Sequence, residues 1–325
     1  MNHRILSLNA TLASAFAGTA LWAADPQYHF IKEIPIAGSA QWDYLTIEPE
    51  FHRLFVSHAG KVDVVDVTTG TIVGSIENTP GVHGIALAPK LGRAFTSNGQ
   101  EAKASIVDLK TLKTIAKVST GANPDCILYA ESQNEVYTFN GRGKSATVFD
   151  PESGKVITTI DLGGKPEFAV ADGKAGRAYV NLEDKSEVVA IDLKSHQVVA
   201  HWPIAPGEAA SGMAIDLEHH RLFLGCDNKK MVMLDSTTGK VLATVPIGAG
   251  VDANAFDPGT QLAFSSNGEE GTTTIAKEVG DKLTVVQTLK TVVGARTMTI
   301  DPMTHLIYLP APTPSFRVLV YGMNP

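Results

Sequence analysis

An aspartate follows an apolar run at nearly constant intervals along this chain, and that spacing limits the fold more than any other feature. Residues 62–76 read VDVVDVTTGTIVGSI, two runs of alternating apolar residues around a turn that starts with Asp66 and ends with Gly70. Alternation with period two marks a half-buried strand. An Asp that accepts hydrogen bonds from the backbone just ahead of it, with a Gly that turns left-handed, makes the segment a β-hairpin. Asp108, Asp150, Asp192 and Asp235 repeat the arrangement at intervals of 42, 42, 42 and 43 residues, and two further steps of 43 reach Glu278 and Tyr321. Seven copies of an all-strand unit of this length predict an all-β, seven-bladed β-propeller.

Each unit holds four short strands, a to d, which in the first unit fall at residues 44–47, 54–57, 62–67 and 71–76. The a–b turns (EPEFH at 48–52, then APKLG, DLEHH, DPGTQ and DPMTH) are polar, with Pro where it presets a turn. The b–c turns carry Asn98-Gly99, Asn140-Gly141 and Asn267-Gly268. This pair suits a tight hairpin with two positive φ angles, so these asparagines are read as turn-formers rather than ligands. Strand d ends on a proline at Pro203, Pro246 and, ahead of the first unit, Pro35. Proline is tolerated on edge strands, so d is the outer rim of each blade. The seventh unit runs out after three strands (297–300, 306–309 and 316–321). Residues 30–36 are therefore predicted to supply its fourth, a hybrid blade that leaves no open seam.

The first 24 residues are read apart from the fold. Arg4 precedes an uncharged stretch, residues 5–24, that closes on Ala23 and Ala24, the pattern of a secretory signal peptide cleaved near those alanines. Export to the periplasm or the medium is the expectation, with no membrane-spanning segment after cleavage. Residues 25–325 then form one propeller, expected to be a monomer. Formal charge is −7, and removal of Arg4 with the leader takes it to −8. No basic patch for nucleic acid or anionic lipid is indicated. Cys126 and Cys226 lie in the third and fifth units, so a bridge would have to skip a blade. Two separate thiols are expected, with Cys226 in an exposed turn.

The repeats resemble the YVTN-repeat (YncE-like) β-propellers, within the group of propellers similar to quinoprotein amine dehydrogenases. The fourth unit carries the likeness best, with Arg177-Ala178-Tyr179-Val180-Asn181 followed by SEVVAIDLKSHQVV. The aromatic recurs as Phe55, Phe95, Tyr137, Phe223, Phe264 and Tyr308, whereas the Tyr-Val-Thr-Asn tetrapeptide is nowhere intact. The resemblance implies the propeller fold and export. It does not imply one activity, because propellers of this group range from enzymes to surface-layer proteins.

Aligning the starts of the innermost strands selects one polar residue per unit: Asp43, His83, Asp125, Glu167, Ser211, Asp252 and Arg296. The residues that follow are apolar or small, so the polar set marks the mouth of the central channel. The d–a and b–c connections share that face, which adds His58, Arg142, Lys144, Cys226, Asp227 and Asn228. Four carboxylates, an imidazole and a guanidinium on one ring are suited to a cationic or polar ligand, or to a hard divalent metal such as calcium held through oxygen. The plainer reading is a wet funnel rim with Arg296 relieving repulsion among the acids. Adjacent members, Asp43 with His83 or Asp125 with Glu167, are the pairs expected to share an ion.

Catalytic signatures are sparse. There is no Cys-x-x-Cys-His for haem, no Gly-x-Ser-x-Gly, no nucleotide phosphate loop and no His-Glu-x-x-His. Trp22 falls in the leader, and Trp42 and Trp202 read as packing or channel-mouth residues, which speaks against a tryptophan-derived quinone. His219-His220-Arg221 lies in an a–b turn on the opposite face and reads as a solvated turn rather than a metal site. The leading expectation is an exported binding propeller whose funnel takes a small polar ligand or a protein partner, without assigned catalysis. The alternative is a metal-assisted hydrolase of lactonase type, with a carboxylate beside the ion moving the proton.

Overall fold

The computed structural model describes residues 27–38 and 41–323, so the leader read at 1–24 lies outside the described residues. Among the described residues, seven four-stranded antiparallel sheets form the blades of a β-propeller. Blade 1 runs Leu45–Glu48, Arg53–His58, Lys61–Asp66 and Thr71–Ile76 from the inner strand a to the outer strand d. Strand a of blades 2 to 6 is Val82–Ala88, Pro124–Ala130, Pro166–Asp172, Ala210–Asp216 and Val251–Asp257. Blade 7 is the hybrid expected. Thr299–Ile300, Ile307–Ala311 and Arg317–Met323 are completed by the N-terminal strand Tyr28–Pro35, with Tyr28 opposite Met323 and Pro35 opposite Arg317.

The repeating aspartate makes the turn that its position suggests. Asp66 Oδ1 accepts from the backbone N–H of Thr68 and Thr69 at 2.8 and 2.9 Å, and Gly70 adopts φ 71° while donating to the Asp66 carbonyl. Asp108, Asp150, Asp192 and Asp235 do the same for their own turns. The b–c turns differ from expectation. Asn98, Asn140 and Asn267 are the last, fully buried residues of strand b, and neither they nor the glycines after them take positive φ. Their amides reach back to hydroxyls of strand c instead, Asn98 to Ser105, Asn140 to Thr147 and Asn267 to Thr272 and Thr274. The left-handed residue comes later in each loop, at Ala102, Lys144 and Gly271. A buried amide that must be satisfied thus outweighs the local turn preference.

The core lies between blades. Among the described residues, each of seven buried clusters draws its side chains from two neighbouring blades, and the strand-b aromatics fall one to a cluster: Phe55, Phe95, Tyr137, Tyr179, Phe223, Phe264 and Tyr308. All seven are at most 2% exposed, so each blade presents one large ring to the next. Losing such a ring to Ala typically costs about 3–5 kcal/mol. Closure adds polar ties. Gln287 of blade 6 bonds both the N–H and the carbonyl of Tyr28 at 2.8 Å, and Lys32 donates to the Val67 carbonyl of blade 1 at 2.7 Å. No helix among the described residues is long and apolar enough to cross a membrane.

Candidate functional site at the channel mouth

Every ring residue of blades 2 to 6 lies where strand a slips register against strand b. The shifts fall between Val82 and Ile85, Pro124 and Ile127, Pro166 and Ala169, Ala210 and Gly212, and Val251 and Ala253. These intervals contain His83, Asp125, Glu167, Ser211 and Asp252. A bulge bends its strand and re-aims the extra residue, which is how a strand end can present a polar side chain to the channel.

Short polar side chains fix these irregular starts. Ser97 Oγ accepts from Gly84 N–H at 2.8 Å and donates to the Asp125 carbonyl of the next blade. Asn181 accepts from Phe168 N–H at 2.8 Å and donates to the Ala210 carbonyl at 2.6 Å. Ser266 bonds the Arg296 carbonyl, Thr297 bonds the Asp43 carbonyl and Ser57 accepts from Asp43 N–H. None of these residues is assigned to the mouth by the sequence pattern, Asn181 included although it ends the Tyr179-Val180-Asn181 motif. Four of them, Ser57, Ser97, Asn181 and Ser266, stand two positions after the strand-b aromatic, which is the signal that would have found them.

Charged groups pair around the ring. His83 Nδ1 lies 2.6 Å from Asp43 Oδ2 and 3.7 Å from Asp125 Oδ1, and a donor atom from each of the three falls within 4.8 Å of the others. Burial alone would lower the His83 pKa, but the Asp43 hydrogen bond and the Asp125 and Asp43 charges raise it to about 9. Arg296 Nε contacts Asp252 Oδ2 at 3.0 Å, with its guanidinium over the Trp42 ring, which in turn stacks on Phe316. Lys165 bridges Glu167 and Glu183. Burial, then the charges of neighbouring acids, push Asp125 and Asp252 up to about 7 and Glu167 up to about 8, against the pull of His83, Arg296 and Lys165 respectively. Burial is the largest cause for all three, so removal from water is what favours their protonated forms.

The other predicted residues are placed differently. Ser211 turns its hydroxyl to the Val251 carbonyl at 2.7 Å, tying blade 5 to blade 6. Arg142 and Asp227 are exposed on b–c loops, and partial burial with the Glu183 and Glu269 charges raises the Asp227 carboxyl. Lys144 pairs with Asp184 at 2.7 Å, and Asn228 donates to the Pro206 carbonyl. His58 is 2% exposed, bonded to Asp63 at 2.6 Å and packed on Phe316, so it belongs to the seam between blades 7 and 1. Cys226 ends strand b and is fully buried rather than displayed in a turn, with burial pushing its thiol up to about 12. Both cysteines are free thiols.

Below the ring, the channel holds a cavity of about 300 Å³ lined by Tyr44, Cys126, Phe168, Met213, Phe256 and Met298 among others. Tyr44 of blade 1 reaches across to Phe168 of blade 4, ring centroids 5.2 Å apart. Its hydroxyl is held protonated by burial and by the charges of Asp125, Asp43 and Asp252.

No family profile and no curated protein matches this chain. A solved structure of Kuenenia stuttgartiensis hydrazine synthase is similar over 91% of this chain and 96% of that one, at 16% identity and a TM-score of 0.72. The likeness is one of fold.

Proposed function

We propose that the protein is an exported propeller that binds a small ligand with a cationic group at the channel mouth. The observation that carries this reading is the crowding of Asp43, Asp125, Glu167 and Asp252 at the channel mouth, above the cavity, where His83, Lys165 and Arg296 are the cations paired with them. Buried carboxyls that hold protons near neutrality gain most from a cation that replaces those protons. The export reading rests on the composition of residues 1–24. Assignment to the YVTN type rests on the aromatic repeat, each member of which fills one inter-blade layer. A protein partner would use the same mouth through a Lys or Arg side chain. Thermal shifts with small alkylammonium ions against size-matched carboxylates test the reading. The parent should be stabilised by the cations alone, and Asp125→Asn with Asp252→Asn should abolish the effect. Equal or larger shifts with the anions would rule it out.

The convergence of Asp43, His83 and Asp125 supports a second reading, metal-assisted hydrolysis of an ester or lactone. It requires one funnel-bound divalent ion per chain, with ion and hydrolysis lost together in Asp43→Asn. Hydrolysis that survives metal removal would exclude it.

A further inference from the structure

Glu278 stands at the repeat position where five other blades carry the turn-forming aspartate, but it does not form the turn. In blade 6 strand c runs on to Val279, and the hairpin reverses through Gly280 at φ 59° with Val279 paired to Lys282. The carboxyl so released is 2% exposed, and its Oε2 has no hydrogen-bond partner among the described residues. Its Oε1 is 3.9 Å from Arg221 Nε, beyond hydrogen-bond distance. Across the boundary with blade 5 stand Asp216, with a side chain 1% exposed, and His219 on the a–b turn. A donor atom from each of Asp216, His219 and Glu278 lies within 4.8 Å of the others.

We propose that Asp216, His219 and Glu278 form a binding site for a divalent transition-metal cation of the zinc or manganese class, on the face opposite the funnel. Two buried carboxyls at this separation repel when both are ionised, and a buried charge without a counter-ion is costly. Arg221 is the nearest fixed cation, but it is drawn to Asp235 at 3.2 Å and Asp281 at 2.7 Å. A metal ion would supply the charge that Arg221, shared with Asp235 and Asp281, provides only in part. One imidazole with two carboxylates favours a first-row transition ion over calcium or magnesium, which prefer oxygen alone. Asp216 is already oriented. Its Oδ1 accepts from Glu218 N–H at 2.8 Å, and its Oδ2 lies 2.6 Å from His219 Nδ1, a hydrogen bond that the ion would replace. Three protein donors, with the histidine at the surface, leave coordination positions to water, the arrangement of an open site. The ion would join blade 5 to blade 6, and it is independent of the reading given to the funnel.

The test uses the untagged full chain, stripped with a chelator and titrated with zinc chloride and manganese chloride, with calcium chloride as the control. The expected result is one equivalent bound at this site, with a rise of several degrees in the unfolding midpoint at saturation. Glu278→Gln and the surface change His219→Ala should each weaken it at least about tenfold. Asp43→Asn in the funnel should leave it intact, so any separate funnel ion is told apart by its own loss. Two results would overturn the site. One is an equivalent that persists in both Glu278→Gln and His219→Ala. The other is a parent that no ion stabilises; a midpoint raised by Glu278→Gln would then mean that the two carboxyls share a proton instead.

Discussion

Asp43 Oδ2 sits 2.6 Å from His83 Nδ1, and this contact joins the approach to blade 1 with the inner strand of blade 2 at the channel mouth. Against the pull of burial, this contact and the charges of Asp125 and Asp43 raise His83 to about 9, yet Asp125 beside it is still pushed up to about 7.

The first consequence is a stability that falls as pH rises. His83, raised to about 9, contributes stability in full below its ordinary value near 6.5 and loses it as pH climbs through 9. Asp125 and Asp252 at about 7 and Glu167 at about 8 are acids whose protonated forms the fold favours. Their contribution is present below the ordinary carboxylate range and disappears as pH passes through 7 to 8. All four run in the same direction, so the ligand-free protein should be several kcal/mol less stable at pH 8 than at pH 5. Denaturant unfolding at the two values measures it, and Asp125→Asn and Asp252→Asn should flatten the difference. A flat parent profile would mean that the ring is merely solvated.

Arg296→Ala should steepen the same slope. The substitution removes the 3.0 Å partner of Asp252 and raises that carboxyl further above about 7, while the half-exposed site leaves the fold in place. Thermal unfolding from pH 5 to pH 8 should show the variant close to the parent at the acid end and below it at the alkaline end.

Removing residues 27–35 should leave strand Arg317–Met323 as an unpaired apolar edge and drive aggregation. Gln287→Ala is the gentler probe. It deletes both bonds to the Tyr28 backbone and should cost about 1–3 kcal/mol without changing secondary structure. A truncated chain that stays monodisperse with an unchanged midpoint would contradict the closure.

Cys126 and Cys226 should resist thiol reagents in the native protein and react together on unfolding. Both are buried, and burial raises both thiols away from the reactive thiolate. Rapid native labelling at Cys226 would show that strand b of blade 5 opens locally.

The frame was legible because its signals recur. A turn aspartate and a strand-b aromatic, each read once, are weak. Read at one spacing around the ring, they fix blade count, strand order and the hybrid closure by Tyr28–Pro35. The ring positions were legible as polar strand starts, but their bulges were not, because register there depends on Ser97, Asn181 and Ser266 acting between blades. His58 reads as a loop-end ligand until Phe316, from the far end of the chain, covers it. The Asn-Gly pairs misled for a related reason, since local propensity carries no information about a buried amide that needs partners on strand c. Glu278 and Asp216 lie in different repeats, so only the ring brings them together.

The most direct test of a cation-binding funnel is proton release. Calorimetric titration of a small alkylammonium ion at pH 7, in two buffers of different ionisation enthalpy, reports protons exchanged on binding. Displacement from Asp125, Asp252 and Glu167 predicts a net release, abolished when Asp125→Asn and Asp252→Asn are combined. Binding without proton exchange, or tighter binding of the matched carboxylate, would contradict the account.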